Sequence, residues 1–231
     1  RLFATFDEGL EACRRVVQRG ARPAVLRLYD ETESRRTFGL EGCALVVLDE
    51  GDEGLVEATL EVVDEECAGA ERLDEAVVAT WLERRNDVSA LAPLWSAGVV
   101  VDTIETVAPW GALGSLARDV RAALEAVPGM AVASVHESHA YEDGACLYFT
   151  FAGRPEGDPR AFHRAAWDAA LDAVVAAGAA VSHHHGVGRQ RVEHLTRAMG
   201  PAYDLLRDLK ALFDPEGLLN PDVLGLGEDD R

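Results

Sequence analysis

Ala131-Val132-Ala133-Ser134-Val135-His136-Glu137-Ser138, then Tyr141-Glu142-Asp143-Gly144, then Ala145-Cys146-Leu147-Tyr148-Phe149-Thr150-Phe151 is the stretch that decides the architecture. Two runs rich in β-branched, aliphatic and aromatic residues flank an Asp-Gly turn, which predicts an antiparallel hairpin. Side chains alternate across a strand, so Leu147, Phe149 and Phe151 point one way and Cys146, Tyr148 and Thr150 the other. One face of the resulting sheet is oily and has to be covered. The other is polar and carries Tyr148.

The rest of the chain builds outward from that hairpin. Upstream, Phe6, Leu10, Cys13 and Val17 recur at helical spacing, with Asp7 as the expected cap and Gly20 at the end. Strand-like runs follow at 24–29 and 42–48, and Val56, Leu60, Val63 and Cys67 mark the next helix. Asp74 caps a shorter one carrying Val78, Trp81 and Leu82. A second cycle opens after Gly98 with a strand at 99–106. It continues with a helix after Pro109 that presents Leu113, Leu116, Val120 and Leu124. Beyond the hairpin, Asp158-Pro159 starts a helix and Gly178 stops it. This order predicts an α+β fold, an antiparallel sheet with helices packed mainly on one face, read as two αββ-type halves. Leu205, Leu206, Leu209 and Leu212 then form an amphipathic helix ahead of a turn-rich segment, so residues 1–200 are expected as one domain and 201–231 as a helix and tail that pack on another surface.

Composition narrows the function classes. Twenty-two basic against 41 acidic residues give a net charge of −19, which opposes binding to nucleic acid or an anionic membrane. No run approaches the roughly 20 apolar residues of a membrane span. Cys13, Cys43, Cys67 and Cys146 show no CxxC spacing, so reduced thiols in the cytoplasm are expected rather than a zinc cage or a disulfide framework. The chain opens at Arg1 directly into a helix-like pattern, which reads as a fragment of something longer.

Chemistry is concentrated in Ser182-His183-His184-His185-Gly186-Val187-Gly188-Arg189. Imidazoles titrate inside the physiological window, and glycines admit a ligand that a Cβ would block. A metal tract and a buried structural role are the competing readings. In an extended segment only His183 and His185 share a face, which is a poor ligand set, so no metal is expected. Arg189 beside the glycine turn suits an oxyanion, and Arg27 inside an apolar strand either reaches solvent, pairs with an acid such as Asp30, or binds an anion. His136, His139 and His163 are read as structural and His194 as a solvated helix residue. No GxSxG elbow, HExxH helix or GxGxxG fingerprint is present.

Three segments together carry a resemblance: the run from Asp143 through Phe149, the histidine run, and Phe213-Asp214-Pro215-Glu216-Gly217-Leu218-Leu219-Asn220-Pro221. They resemble the C-terminal half of FAD-linked oxidases, and within these the alkyldihydroxyacetonephosphate synthases. The resemblance implies a ferredoxin-like cap domain that roofs a flavin held mainly by an N-terminal FAD-binding domain absent from this chain. It implies that Tyr148, His183, His184 and His185 move protons, that Arg27 binds a charged substrate, and that Gly186, Gly188, Arg189 and Asn220 meet the cofactor. The implied substrate is a small hydroxy acid or ketone phosphate; a homodimer is left open. Leu91 stands where the family usually carries an arginine, which favours an FAD-linked oxidoreductase over an ether-lipid synthase. A D-2-hydroxyacid dehydrogenase of lactate or glycolate type and a non-catalytic interaction module are the alternatives. This half alone is expected to be inactive.

Overall fold

A computed structural model describes residues 1–89 and 91–227. The predicted hairpin is its centre: β5 (Met130–Ala140) and β6 (Gly144–Gly153), closed by a Tyr141 N–H that donates to the Gly144 carbonyl at 2.8 Å. β4 (Val100–Pro109) lies on the outer side of β6. β2 (Val25–Tyr29) flanks β5, followed by β3 (Cys43–Leu48) and the short β1 (Leu2–Phe3). All neighbours are antiparallel, in the order β1-β3-β2-β5-β6-β4. The fold is α+β, as the alternation predicted.

Three helices cover the oily face because only there does burial remove large apolar side chains from water. They are α1 (Phe6–Gln18), α6 (Trp110–Glu125) and α7 (Pro159–Ala176). Leu10 and Val16 of α1, Leu113, Leu116 and Leu124 of α6, and Phe162 and Leu171 of α7 meet Leu28, Ile104, Leu147, Phe149 and Phe151 in one buried cluster. Gly9 lets α1 approach the sheet, since a Cβ there would stand 2.5 Å from Leu28 Cδ1. The units α1-β2-β3 and α6-β5-β6 repeat one topology, with β2 and β5 side by side at the centre. The two αββ halves read from the sequence are therefore present.

The remaining helices are α2 (Glu31–Phe38), α3 (Glu53–Glu66), α4 (Ala76–Arg84), α5 (Leu91–Ser96), α8 (Val192–Met199) and α9 (Ala202–Phe213). α2 escaped the sequence reading because Glu-Thr-Glu-Ser-Arg-Arg-Thr-Phe has no apolar stripe; Asp30, accepting from the Glu33 N–H at 2.7 Å, starts it. α4 lies on the polar face, where Trp81, Tyr29 and Val46 form a small second cluster. The cap of α1 is Thr5, in a reciprocal box with Glu8, and not Asp7, whose carboxylate pairs with Arg118 at 2.7 Å. α9 and the tail are joined by a Tyr203 hydroxyl that donates to Leu224 O at 2.7 Å, and the last four residues of the expected 201–231 tail lie outside the described ones. Among the described residues no helix is long and apolar enough to cross a membrane.

Candidate functional site

The strand register assembles the site. Tyr29 pairs with His136, His136 with Tyr148, and Tyr148 with Glu105, so one cross-strand row on the polar face spans β2, β5, β6 and β4. Along it the rings are in contact: Tyr29 to His136 at 5.3 Å, His136 stacked on Tyr148 at 5.1 Å, and His185 edge-on to Tyr148 at 5.9 Å. The Tyr148 hydroxyl lies 3.0 Å from Thr103 Oγ1. The sequence reading of Tyr148 as a polar-face residue is what the structure shows, and His136, read as structural, is the ring against which Tyr148 rests.

Two carboxylates anchor the row's ends. Glu105 takes the Arg191 guanidinium in two-point contact at 2.6 and 2.8 Å, and both side chains are buried. Burial raises the Glu105 pKa, but the hydrogen bonds and charge of Arg191, with Ser182, outweigh it and bring it down to about 2. The ionised Glu105 accepts from Ser182 Oγ at 3.0 Å and from the His183 N–H at 3.4 Å, and lies 3.0 Å from His185 Nδ1. A His185 Nδ1–H donating to it leaves Nε2 as the open lone pair, the tautomer of a general base. Glu33 does the same at the other end: His136 Nδ1 stands 2.9 Å away. Burial there is again outweighed, by His136 first and then Arg36 and Ser134, and Glu33 falls to about 2.

The histidine run is a turn and not the extended segment expected. His184 sits at φ 34°, so side-chain alternation fails and successive rings touch, His183 to His184 at 4.2 Å and His184 to His185 at 4.8 Å. A bulge between Glu137 and His139 turns His139 onto the polar face opposite Cys146. Its ring then meets His183 at 5.3 Å and His184 at 5.0 Å, where burial and these neighbours lower its pKa to about 4. His183 Nε2 lies 2.8 Å from the Tyr141 hydroxyl, while its buried Nδ1 has no partner among the described residues. His139, Cys146 and His183 hold ligand atoms within 4.8 Å of one another, a set that could take one metal ion, although burial pushes the Cys146 thiol up to about 11.

The other predicted residues lie around this cluster. Arg27 is half-buried on the same face, 5.8 Å above the Trp81 ring; Asp30 pairs with Arg121 at 3.3 Å instead. Gly186 and Gly188 have φ of 82° and 59°, the left-handed region that suits glycine. Arg189 reaches the tail, donating to Pro221 O at 3.1 Å beside Asp222 at 3.5 Å, and Asn220 is exposed in that segment. His194 is buried, 3.3 Å from Asp172, and not solvated. His163 bonds Asp102 at 2.7 Å, away from the row.

Residues 2–224 match the family model described as FAD linked oxidases, C-terminal domain. The chain belongs to this family. Two curated relatives of this FAD-linked oxidase domain are similar over nearly its whole length. One is the uncharacterized FAD-linked oxidoreductase YgcU of Escherichia coli O157:H7, 27% identical, covering 92% of the chain and 48% of the relative. The other is the alkyldihydroxyacetonephosphate synthase of Dictyostelium discoideum, 25% identical, covering 95% and 42%. The chain thus spans about half the length of the curated relatives it matches. In fold it is similar to an alkyldihydroxyacetonephosphate synthase (TM-score 0.67, 21% identity, 95% of this chain and 43% of that one). It is also similar to a 4-ethylphenol oxidase from Gulosibacter chungangensis (TM-score 0.71, 14% identity, 100% and 54%).

Proposed function

We propose that this chain is the cap and substrate half of an FAD-dependent oxidoreductase or alkyldihydroxyacetonephosphate synthase-like enzyme. In the intact protein Tyr148 and His183 to His185 would face the flavin. The observation that carries the reading is the cross-strand row ending in the Glu105–His185 pair. It presents a phenol and an oriented imidazole on the one sheet face that α1, α6 and α7 leave uncovered. The residues of that face fit a flavin: its groups handle protons, and among the described residues the buried His183 Nδ1 has no partner. FAD, bound mainly by the N-terminal half, would supply the two-electron chemistry. The chain's own residues do the rest. His185 Nε2 accepts a substrate proton, Tyr148 holds or returns one, and Glu105 stabilises the imidazolium so formed.

Gly186, Gly188, Arg189 and Asn220 remain our candidates for the cofactor side of the cleft. The exposed apolar residues of α9 and the tail, Leu212 and Phe213 among them, would pack on the FAD-binding half. We take the substrate to be a small hydroxy acid or ketone phosphate and the location to be the cytoplasm, where four free, buried thiols persist. Leu91, half-buried at the start of α5, favours the oxidoreductase over the synthase. Full-length protein should purify yellow, and Tyr148→Phe should lower turnover by roughly a hundredfold or more while leaving flavin content unchanged. Colourless full-length protein would sink the reading.

A further inference from the structure

We infer that Arg85, at the C-terminal end of α4, is a specificity-determining residue. With Arg27 it forms an oxyanion clamp across the Trp81 indole, gripping the charged head of the substrate. The inference rests on reading the polar face as a substrate site. Among the described residues, Trp81 is the one ring with two guanidinium groups over it. Nearby Arg22 pairs with Glu142 and Arg36 with Glu33 at 3.3 Å, whereas Arg84, on the same cavity wall, has no acid at ion-pair distance among the described residues. Among the described residues neither Arg27 nor Arg85 has an acid at ion-pair distance, and both lie over one ring, their guanidinium carbons 5.8 and 5.3 Å from the Trp81 centroid. That ring is fixed: Trp81 is 4% exposed and its N–H donates to the Tyr29 hydroxyl at 2.6 Å.

Two like charges sharing one indole repel each other, and an anion placed between them removes that cost. A guanidinium held over a ring can still use its planar N–H edge for bidentate contact with a carboxylate or phosphate. Both arginines line a cavity of about 640 Å³ that also reaches His139 and Tyr141, and a second of about 300 Å³ that reaches His136. A molecule whose oxyanion sits on the clamp therefore extends toward His139 in the first cavity or His136 in the second.

The test is calorimetric titration of the full-length, flavin-containing protein with oxalate and with inorganic phosphate at low ionic strength. Flavin content is read separately by absorbance. Wild type should bind at least one of the two anions. Arg85→Gln and Arg27→Gln should each weaken that binding about tenfold or more, the scale of a lost charge-assisted pair. Arg85→Lys should recover only part, because an ammonium cannot bond bidentately. The control Arg14→Gln, on the far surface of α1, should change nothing. Preference for oxalate assigns a carboxylate substrate, and preference for phosphate a phosphate ester. Absence of binding by either anion, or an Arg85→Gln protein that binds like wild type, overturns the clamp. A yellow protein with that result leaves the flavoenzyme reading standing, whereas a colourless protein that still shows the Arg85 effect removes that reading and keeps the clamp.

Discussion

Glu137 shows how one residue can set the pH behaviour of the whole fold. It lies on the oily face, paired across the sheet with Leu28 and Leu147 and fully buried, and among the described residues neither carboxyl oxygen has a side-chain or geometrically formed hydrogen-bond partner. Burial, only partly offset by Arg27 and the Leu28 backbone, raises its pKa to about 8. The folded protein therefore keeps Glu137 protonated where the unfolded chain has released the proton. Its contribution is full below the ordinary glutamate value and is lost as pH rises toward about 8. At neutral pH that loss is on the order of 3 kcal/mol. Glu137→Leu should flatten the fall in denaturation midpoint across this window; a wild-type midpoint already flat there would contradict the assignment. Glu105 has the opposite sign, since its lowered pKa gives stability above the ordinary value that is lost only as pH falls toward about 2. Glu105→Gln strands Arg191 as a buried charge and should cost about 3 kcal/mol, with turnover falling as His185 loses its orientation. Circular dichroism melts and steady-state rates on one preparation separate the two effects.

At the scale of elements, the approach of α1 to the sheet depends on Gly9. In an ordinary helix interior Gly→Ala gains about 1 kcal/mol. Here the new methyl meets the buried Leu28 at 2.5 and 2.6 Å, so overpacking should reverse the sign and destabilise by about 1–2 kcal/mol. A Leu28→Ala background should relieve much of that penalty, and additive free energies would refute the contact. Helices with a buried apolar stripe, α1, α6 and α7, were legible because burial imposes a period on the sequence. α2 was not: its buried groups are Glu33 and Ser34, and its place is set by the Asp30 cap and the Glu33–His136 pair. The histidine loop was misjudged for a related reason. Its path follows Glu105, which a strand pattern marks only as a charge between Ile104 and Thr106.

For the molecule as a whole, the uncovered surfaces are the informative ones. Leu212 is 72% exposed and Phe213 77%, on a helix otherwise tied to the domain through Tyr203. If this strip packs on the FAD-binding half, Leu212→Glu with Phe213→Ser should make the isolated chain less prone to aggregate and should lower flavin retention in the full-length protein; unchanged retention would place the interface elsewhere. The sequence by itself determined the α+β class, the hairpin, the two-faced sheet and the polar placement of Tyr148, because alternation and helical period are local consequences of backbone geometry. Only the tertiary structure decided which groups meet: His136 behind Tyr148, His139 turned by a bulge onto His183, and Arg191 buried on Glu105. These contacts join residues distant in the chain, through strand register and long-range charge pairing. No local periodicity encodes them.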